Sequence, residues 1–173
     1  VGWAGNIGVS FASSVCDYSY DYYVLEVSSF QLDHSITFKP NISVITNISP
    51  DHLDRYDEDF DLYTLSKYSI VKNQKPNDFF IYNNDCNVTK KIFSRVQIKS
   101  KSISFSTKQN SGFKHSIYTN NNNIISSINK EKFMLSTDKI QIKGIHNIQN
   151  SMAAISVAQI LKISNQKIKE SLT

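Results

Sequence analysis

Uniformly apolar runs alternate with amphipathic stretches through the first part of the chain. YYVLEV (22–27), SVITNI (43–48) and FFIYN (79–83) are rich in β-branched and aromatic residues and lack polar alternation. Each is predicted as a strand buried on both faces. The opening VGWAGNIGVS (1–10) reads as a glycine-bearing loop, followed by a short helical stretch, SFASSV. Between the apolar runs, DEDFDLYTLSKYSIVK reads as a helix with Asp57 as its N-cap, and DCNVTKKIFSRV as another capped by Asp85. Strand and helix alternating at short spacing predict a parallel sheet with crossover helices.

After Ser100 the pattern shortens. SISFS, HSIYT, IISSI, KFMLS and KIQIK alternate apolar with polar positions, with turn residues at Asn120–Asn123 and at Asn129–Lys130. Residues 100–143 are therefore predicted as a small antiparallel meander attached to the parallel sheet, not as a separate domain. Gly144 opens IHNIQNSMAAISVAQILKI, whose spacing predicts an amphipathic helix of about four turns. NQKIKESL begins a last helix.

Composition narrows the classes. Hydrophobic residues make up 40% and charged residues 20% of 173 positions, ordinary values for one soluble domain. No apolar run is long enough to span a membrane. The net charge of +4 is spread over scattered lysines, without the basic–aromatic clustering of a nucleic-acid surface. Cys16 and Cys86 have no metal or redox spacing and read as two reduced thiols.

Two polar groups stand out at predicted strand ends. Glu26 lies near the carboxyl end of YYVLEV, and Asp51 and His52 lie just past SVITNI. In an open parallel sheet, ligands gather outside the carboxyl ends of strands, so neighbouring strands would turn all three into one crevice. Glu26 is then either a structural ion-pair partner or the carboxylate of a cation carrying phosphates. Lys67 shares a helical stripe with Phe60, Tyr63, Ile70 and Val71. It either snorkels to solvent or points into the crevice, where a dry surrounding favours the neutral amine.

Four motifs resemble the central, ATP-binding domain of the Mur ligases: GNIG (5–8), LEVSSFQL (25–32), NISPDHLDRY (47–56) with Tyr63-x-x-x-Lys67, and KGIHNIQNSMAA (143–154). Their order and spacing match over nearly the whole chain. The resemblance implies an α/β fold, with a mostly parallel P-loop/Rossmann-like sheet, flanking helices and a small antiparallel meander. Ser-Ser-Phe-Gln points to the branch that adds D-glutamate to UDP-N-acetylmuramoyl-L-alanine in the cytoplasm, as a monomer, through an acyl phosphate formed with ATP. By the same resemblance, Glu26 would hold the magnesium ion on the ATP phosphates. His52 and a carbamylated Lys67 would hold a second magnesium ion. Asn6, Ser28 and Gln31 would meet the muramoyl substrate, Asn147 and Asn150 the adenine, and Asp51, Asp54, Arg55 and Tyr63 would support them. The chain departs from the family pattern at Ser10, Asp33 and Ile145, none of them a proposed ligand.

No G-x-x-x-x-G-K-[ST] occurs in the sequence. With a start at Val1 and an end inside a helix, residues 1–173 are expected to be a fragment of the central domain. The phosphate loop, the UDP-binding domain and the C-terminal domain would lie outside it, leaving the isolated piece inactive. A sibling ligase with another amino-acid acceptor, or a non-catalytic nucleotide-sugar binding module, are the alternatives.

Overall fold

The computed structural model describes residues 1–108, 115–128 and 132–173. The chain opens on strand β1 (Gly2–Gly5), helix α1 (Phe11–Asp17), strand β2 (Tyr23–Glu26) and helix α2 (Ser29–Asp33). Next come β3 (Ile42–Ile45), a 3-10 turn (Leu53–Tyr56), α3 (Phe60–Tyr68), a second 3-10 turn (Ser69–Val71), β4 (Phe79–Asn83) and α4 (Asn87–Ile92). Strands β5 (Lys101–Ser106), β6 (Ser116–Asn120), β7 (Asn123–Ser126) and β8 (Phe133–Ser136) follow, then a 3-10 turn (Thr137–Lys139), α5 (Ile145–Ile160) and α6 (Asn165–Leu172).

Strands β3 to β8 form one six-stranded sheet in sequence order. The pairs β3–β4, β4–β5 and β5–β6 are parallel, and β6–β7 and β7–β8 are antiparallel. The parallel sheet and its antiparallel extension are thus both present. SISFS, however, joins the parallel part as β5, so the antiparallel meander is β6 to β8. Asn121 and Asn122 take left-handed backbone (φ 46° and 57°) in the β6–β7 turn, which asparagine tolerates. The predicted Asn129–Lys130 turn lies outside the described residues. KIQIK is not a strand: it leaves β8 through a 3-10 turn, with Ile140 buried and Gln141 donating to the Thr173 carbonyl.

The β4 run shows why FFIYN lacks alternation. Ile81 packs with Ile103, Phe105, Ile117, Met152 and Ile155 on the α5 side. Phe80 and Tyr82 pack with Tyr63, Tyr68, Val71 and Ile92 under α3 and α4 on the other. Both faces are covered, so both need apolar side chains. Tyr68 is fully buried in the second cluster, and burial pushes its phenol up to about 12.

The first two strands behave differently. VGWAG, expected as loop, forms β1 and pairs in parallel with β2 in a separate two-stranded sheet. YYVLEV is therefore not buried on both faces. Trp3 and Val24 lie opposite each other in register and are 64% and 61% exposed.

Helix caps were also displaced from their expected positions. Asp57 and Glu58 are left-handed (φ 52° and 57°), which delays α3 until Asp59 caps it by accepting from the backbone N–H groups of Asp61 and Leu62. Cys86, not Asp85, occupies the cap position of α4. Asp85 instead accepts from the Ser106 hydroxyl and from the Thr107 amide and hydroxyl, tying β4 to the end of β5. Both cysteines are free thiols. Burial pushes the Cys86 thiol up, but hydrogen bonding with the backbone at Ile48, Thr89 and Val88 outweighs it and holds it below the usual thiol range. Among the described residues no helix is long and apolar enough to cross a membrane.

Two carboxylates are expected to make the fold acid-sensitive. Burial pushes Asp78 and Asp85 up, yet hydrogen bonds and a nearby lysine outweigh it in each case and hold both below the usual carboxylate range. The partners of Asp78 are the Lys75 amide, Lys39 and Asn41. A carboxyl depressed on folding stabilises fully above its unfolded value of about 4, and that contribution fades as pH falls through the folded value. The thermal midpoint is expected to drop on acidification below about pH 4. Asp85→Asn should lower it at neutral pH and flatten the acid limb; an unchanged acid limb in that variant would remove Asp85 from this account.

Candidate functional site

The site begins where β1 ends. Gly5 faces Glu26 in parallel register, with φ +122°. A Cβ there would lie 2.2 Å from the Glu26 carbonyl oxygen, so only glycine lets the two strand ends approach this closely. The next residue uses that approach: Asn6 N–H donates to the Glu26 carbonyl at 2.8 Å. Its side-chain amide donates to Glu26 Oε1 at 3.2 Å. Asn6 and Glu26, expected on separate substrates, are thus one hydrogen-bonded pair. Glu26 is exposed, not the desolvated carboxylate that the apolar run suggested, because β2 lies outside the large sheet.

Two more expected site residues start α2. Ser28 Oγ accepts from the Gln31 amide at 3.3 Å, while Ser28 N–H donates to Gln31 Oε1 at 2.9 Å. This reciprocal capping box satisfies the first amides of a five-residue helix. Ser28 and Gln31 therefore hold the local backbone, whatever else they contact.

Strands β2 and β3 are not hydrogen-bonded neighbours. The link between Glu26 and the loop after β3 runs through α2. The Phe30 ring meets His52 edge to face at 5.6 Å and stacks near Tyr56 at 6.1 Å. Arg55 lies over the same ring, 4.4 Å from its centroid. Tyr56 donates to the Asp33 carboxylate at 2.7 Å and lies 3.1 Å from Ser66 Oγ, which donates to the Ser29 carbonyl. Asp33, a departure from the family pattern, thus has a defined partner. Neither Phe30 nor Asp33 was among the site residues expected from sequence. The signal available was an aromatic residue inside the capping box, flanked by polar neighbours.

His52 sits in left-handed backbone (φ 50°) just before the 3-10 turn. Its Nε2 is 3.6 Å from Asp51 Oδ2, a loose pair with both side chains about 60% exposed. Asp54 lies exposed in the first turn of the 3-10 segment. From Tyr56 the chain of rings continues to Tyr63 at 5.5 Å, and Lys67 Nζ lies 4.9 Å from the Tyr63 ring centroid. Tyr63 is buried and Lys67 half-buried. The expected stripe is shortened, because α3 ends at Tyr68 and Ile70 and Val71 fall in the 3-10 turn.

Asn147 and Asn150 lie in the first turns of α5, after Gly144 (φ +104°). Strand β8 runs parallel to β6 and leaves the sheet at the carboxyl edge, where Thr137 N–H donates to the Asn122 carbonyl of the β6–β7 turn. Topology thus starts the α5 connection at the edge that carries His52. The Asn147 side chain donates to the Lys143 carbonyl at 2.8 Å, and Asn150 is exposed. Among the described residues, no hydrogen bond or ring contact joins either asparagine to the Glu26 or His52 groups.

The donor set suits magnesium held together with phosphates. Among the described residues no three His, Cys, Asp or Glu side chains cluster as a ready-made metal cage. Magnesium usually keeps waters and takes one or two protein oxygens plus phosphate oxygens. Glu26, exposed with one oxygen held by Asn6, fits that demand.

Comparison with known proteins identifies the family. The Mur ligase middle domain family matches residues 5–158. A UDP-N-acetylmuramoylalanine–D-glutamate ligase of Christiangramia forsetii is 42% identical over 172 residues, covering 99% of this chain and 38% of that protein. The ligase of the same name from Chloroherpeton thalassium is 37% identical, covering 97% of this chain and 38% of its own length. The chain thus spans under two-fifths of these relatives. Among solved structures, UDP-N-acetylmuramate:L-alanyl-γ-D-glutamyl-meso-diaminopimelate ligase from Neisseria meningitides superposes with a TM-score of 0.66 at 15% identity, over 90% of this chain and 48% of that one. MurF ligase from Thermotoga maritima in complex with ADP gives 0.59 at 14% identity, over 94% and 40%. At such identities these structures speak for the fold alone. A family match across most of its length, and relatives this similar over nearly all of it, show that the chain belongs to the Mur ligase family as its middle domain.

Proposed function

We propose that the protein containing this chain is the ATP-dependent ligase that joins D-glutamate to UDP-N-acetylmuramoyl-L-alanine in peptidoglycan synthesis. The observation that carries this reading is the 42% identity to a ligase of that name across 99% of the chain. In the proposed reaction, the L-alanyl carboxylate attacks the γ-phosphorus of ATP, forming an acyl phosphate and releasing ADP. The amine of D-glutamate then attacks the acyl carbon, phosphate leaves, and the amine gives up a proton.

A carboxylate approaching a polyphosphate meets charge repulsion, so catalysis rests on positioning and positive charge. Bound magnesium would neutralise developing charge on the phosphate oxygens. Glu26 would hold one ion, with Asn6 fixing its carboxylate. His52 and Lys67, converted by CO2 to a carbamate, would hold a second. Arg55, which shares the Phe30 ring with His52, would add a positive charge on that side, and Asn147 and Asn150 would meet the adenine. Ser28 and Gln31 would line the muramoyl substrate from the start of α2, while Asp51, Asp54 and Tyr63 support the loop and Lys67. ATP and nucleotide sugars are cytoplasmic, and we place the protein there, as a monomer. Residues 1–173 are a middle-domain fragment in this reading, with the phosphate loop and the flanking domains elsewhere in the protein.

The test supplies the full-length protein with ATP, UDP-N-acetylmuramoyl-L-alanine and, separately, D-glutamate, L-lysine and meso-diaminopimelate. Phosphate release and a product heavier by one glutamyl residue are expected with D-glutamate alone. Turnover with another amino acid would assign the chain to a sibling ligase. Substrate binding without phosphate release would make it a binding module.

A further inference from the structure

We propose that Phe30 is a positioning residue whose ring, bordering His52, presents the Arg55 guanidinium to a phosphate oxyanion of a substrate. This rests on the reading that the loop after β3 faces the nucleotide and nucleotide-sugar substrates. Arg55 sits in a loop crowded with carboxylates, namely Asp51, Asp54, Asp57, Glu58 and Asp59. Yet among the described residues the ion pairs are Lys39–Asp78, His52–Asp51 and Arg95–Asp61. Arg55 stacks on the Phe30 face instead, 4.4 Å from the centroid.

The choice of partner changes what the charge can do. A carboxylate partner would neutralise the guanidinium and take up two of its donors in a bidentate pair. An aromatic face attracts the cation through its quadrupole but accepts none of the in-plane N–H groups. Arg55 is exposed, so its fork of donors stays open to an incoming oxyanion.

The platform is itself fixed. Phe30 packs against the cluster under α3 and stacks on buried Tyr56. The Tyr56 hydroxyl is held by Asp33 and lies against Ser66, and the capping box of Ser28 and Gln31 sets the start of α2. The same ring borders His52 at 5.6 Å, so one side chain on α2 orients two side chains on the loop after β3. Leucine at position 30 would fill similar space but offer no π-face; tyrosine would keep it.

The oxyanion has two sources, the ATP phosphates and the pyrophosphate of the nucleotide sugar, and the experiment separates them. In the full-length protein, Kd is measured by calorimetry for Mg-ATP and for UDP-N-acetylmuramoyl-L-alanine in wild type, Phe30→Leu, Phe30→Tyr, Arg55→Gln and the double variant Phe30→Leu/Arg55→Gln. Loss of a cation–π support of this kind should weaken one of the two ligands by about fivefold to tenfold in Phe30→Leu. Phe30→Tyr should restore it. The double variant should bind no worse than Arg55→Gln, because Phe30 acts through Arg55. Independently of any ligand, the His52 imidazole proton resonance should shift in Phe30→Leu and return in Phe30→Tyr. Arg55→Gln alters an exposed position and tests the anion contact even if Phe30→Leu fails to fold. Unchanged affinity for both ligands in Arg55→Gln would overturn the proposal. So would fully additive losses in the double variant, or a His52 resonance indifferent to Phe30→Leu. A protein that uses a different amino acid would still bind its phosphates, so failure of the D-glutamate reading is read separately from failure here.

Discussion

Lys67→Arg in the full-length protein is expected to cut ligase turnover by roughly 10³-fold while leaving the thermal midpoint nearly unchanged. The structure makes this substitution discriminating. Lys67 Nζ lies over the Tyr63 ring at 4.9 Å, and arginine stacks on aromatic faces at least as well as lysine does. If the side chain serves only by packing its stem and resting its charge on Tyr63, arginine preserves both and activity survives. If it serves as a carbamate, arginine fails, because its guanidinium stays protonated and cannot take up CO2. A carbamate supplies two anionic oxygens of the hard type that magnesium prefers. Lys67→Glu, with a carboxylate nearby, should keep a trace of turnover. Carbon NMR under labelled bicarbonate should show a carbamate resonance in wild type that is lost in Lys67→Arg. Full activity in that variant, with no such resonance in wild type, would leave Lys67 as a packed surface lysine.

Glu26→Gln should raise the magnesium concentration needed for half-maximal activity and lower turnover by roughly 10²-fold. The substitution separates charge from structure. Glutamine keeps an oxygen that accepts from the Asn6 amide, as Glu26 Oε1 does at 3.2 Å, and the backbone bond from Asn6 N–H is untouched. Because the side chain is exposed, the fold should tolerate the change, with an effect on stability within about 0.5 kcal/mol. A magnesium titration of activity, paired with a melting curve, reads both. Wild-type magnesium dependence would assign Glu26 to holding the GNIG loop through Asn6, with no role toward a cation.

Much of the large sheet was legible because its cause is local in sequence. FFIYN reads as fully buried since both faces of β4 meet helices, and each face recruits its own residues: Ile81 on one, Phe80 and Tyr82 on the other. The Asn-rich turn was legible for a similar reason, as left-handed backbone at Asn121 and Asn122 selects asparagine. Where carboxylates and caps were misassigned, a distant partner decided. Asp85 could have capped α4, but Ser106 and Thr107 at the end of β5 bind its carboxylate. Asp57 and Asp59 are chemically the same cap, and only the left-handed backbone after the 3-10 turn makes Asp59 the one used.

The sequence by itself determined the α/β class, the order of most elements, the motifs that mark the family, and the presence of Glu26, His52 and Lys67 on consecutive units of the fold. Those are properties of side-chain type and short-range spacing, carried by hydrophobic periodicity and by the motifs themselves. Tertiary structure alone decided that β1 and β2 form their own sheet, that Glu26 is bound by Asn6, and that Phe30 joins His52, Arg55 and Tyr56. These contacts bridge separate elements, and no local pattern encodes them. The ring of Phe30 becomes a platform only because α2 packs against the loop that follows β3, a juxtaposition set by burial of the aromatic cluster under α3.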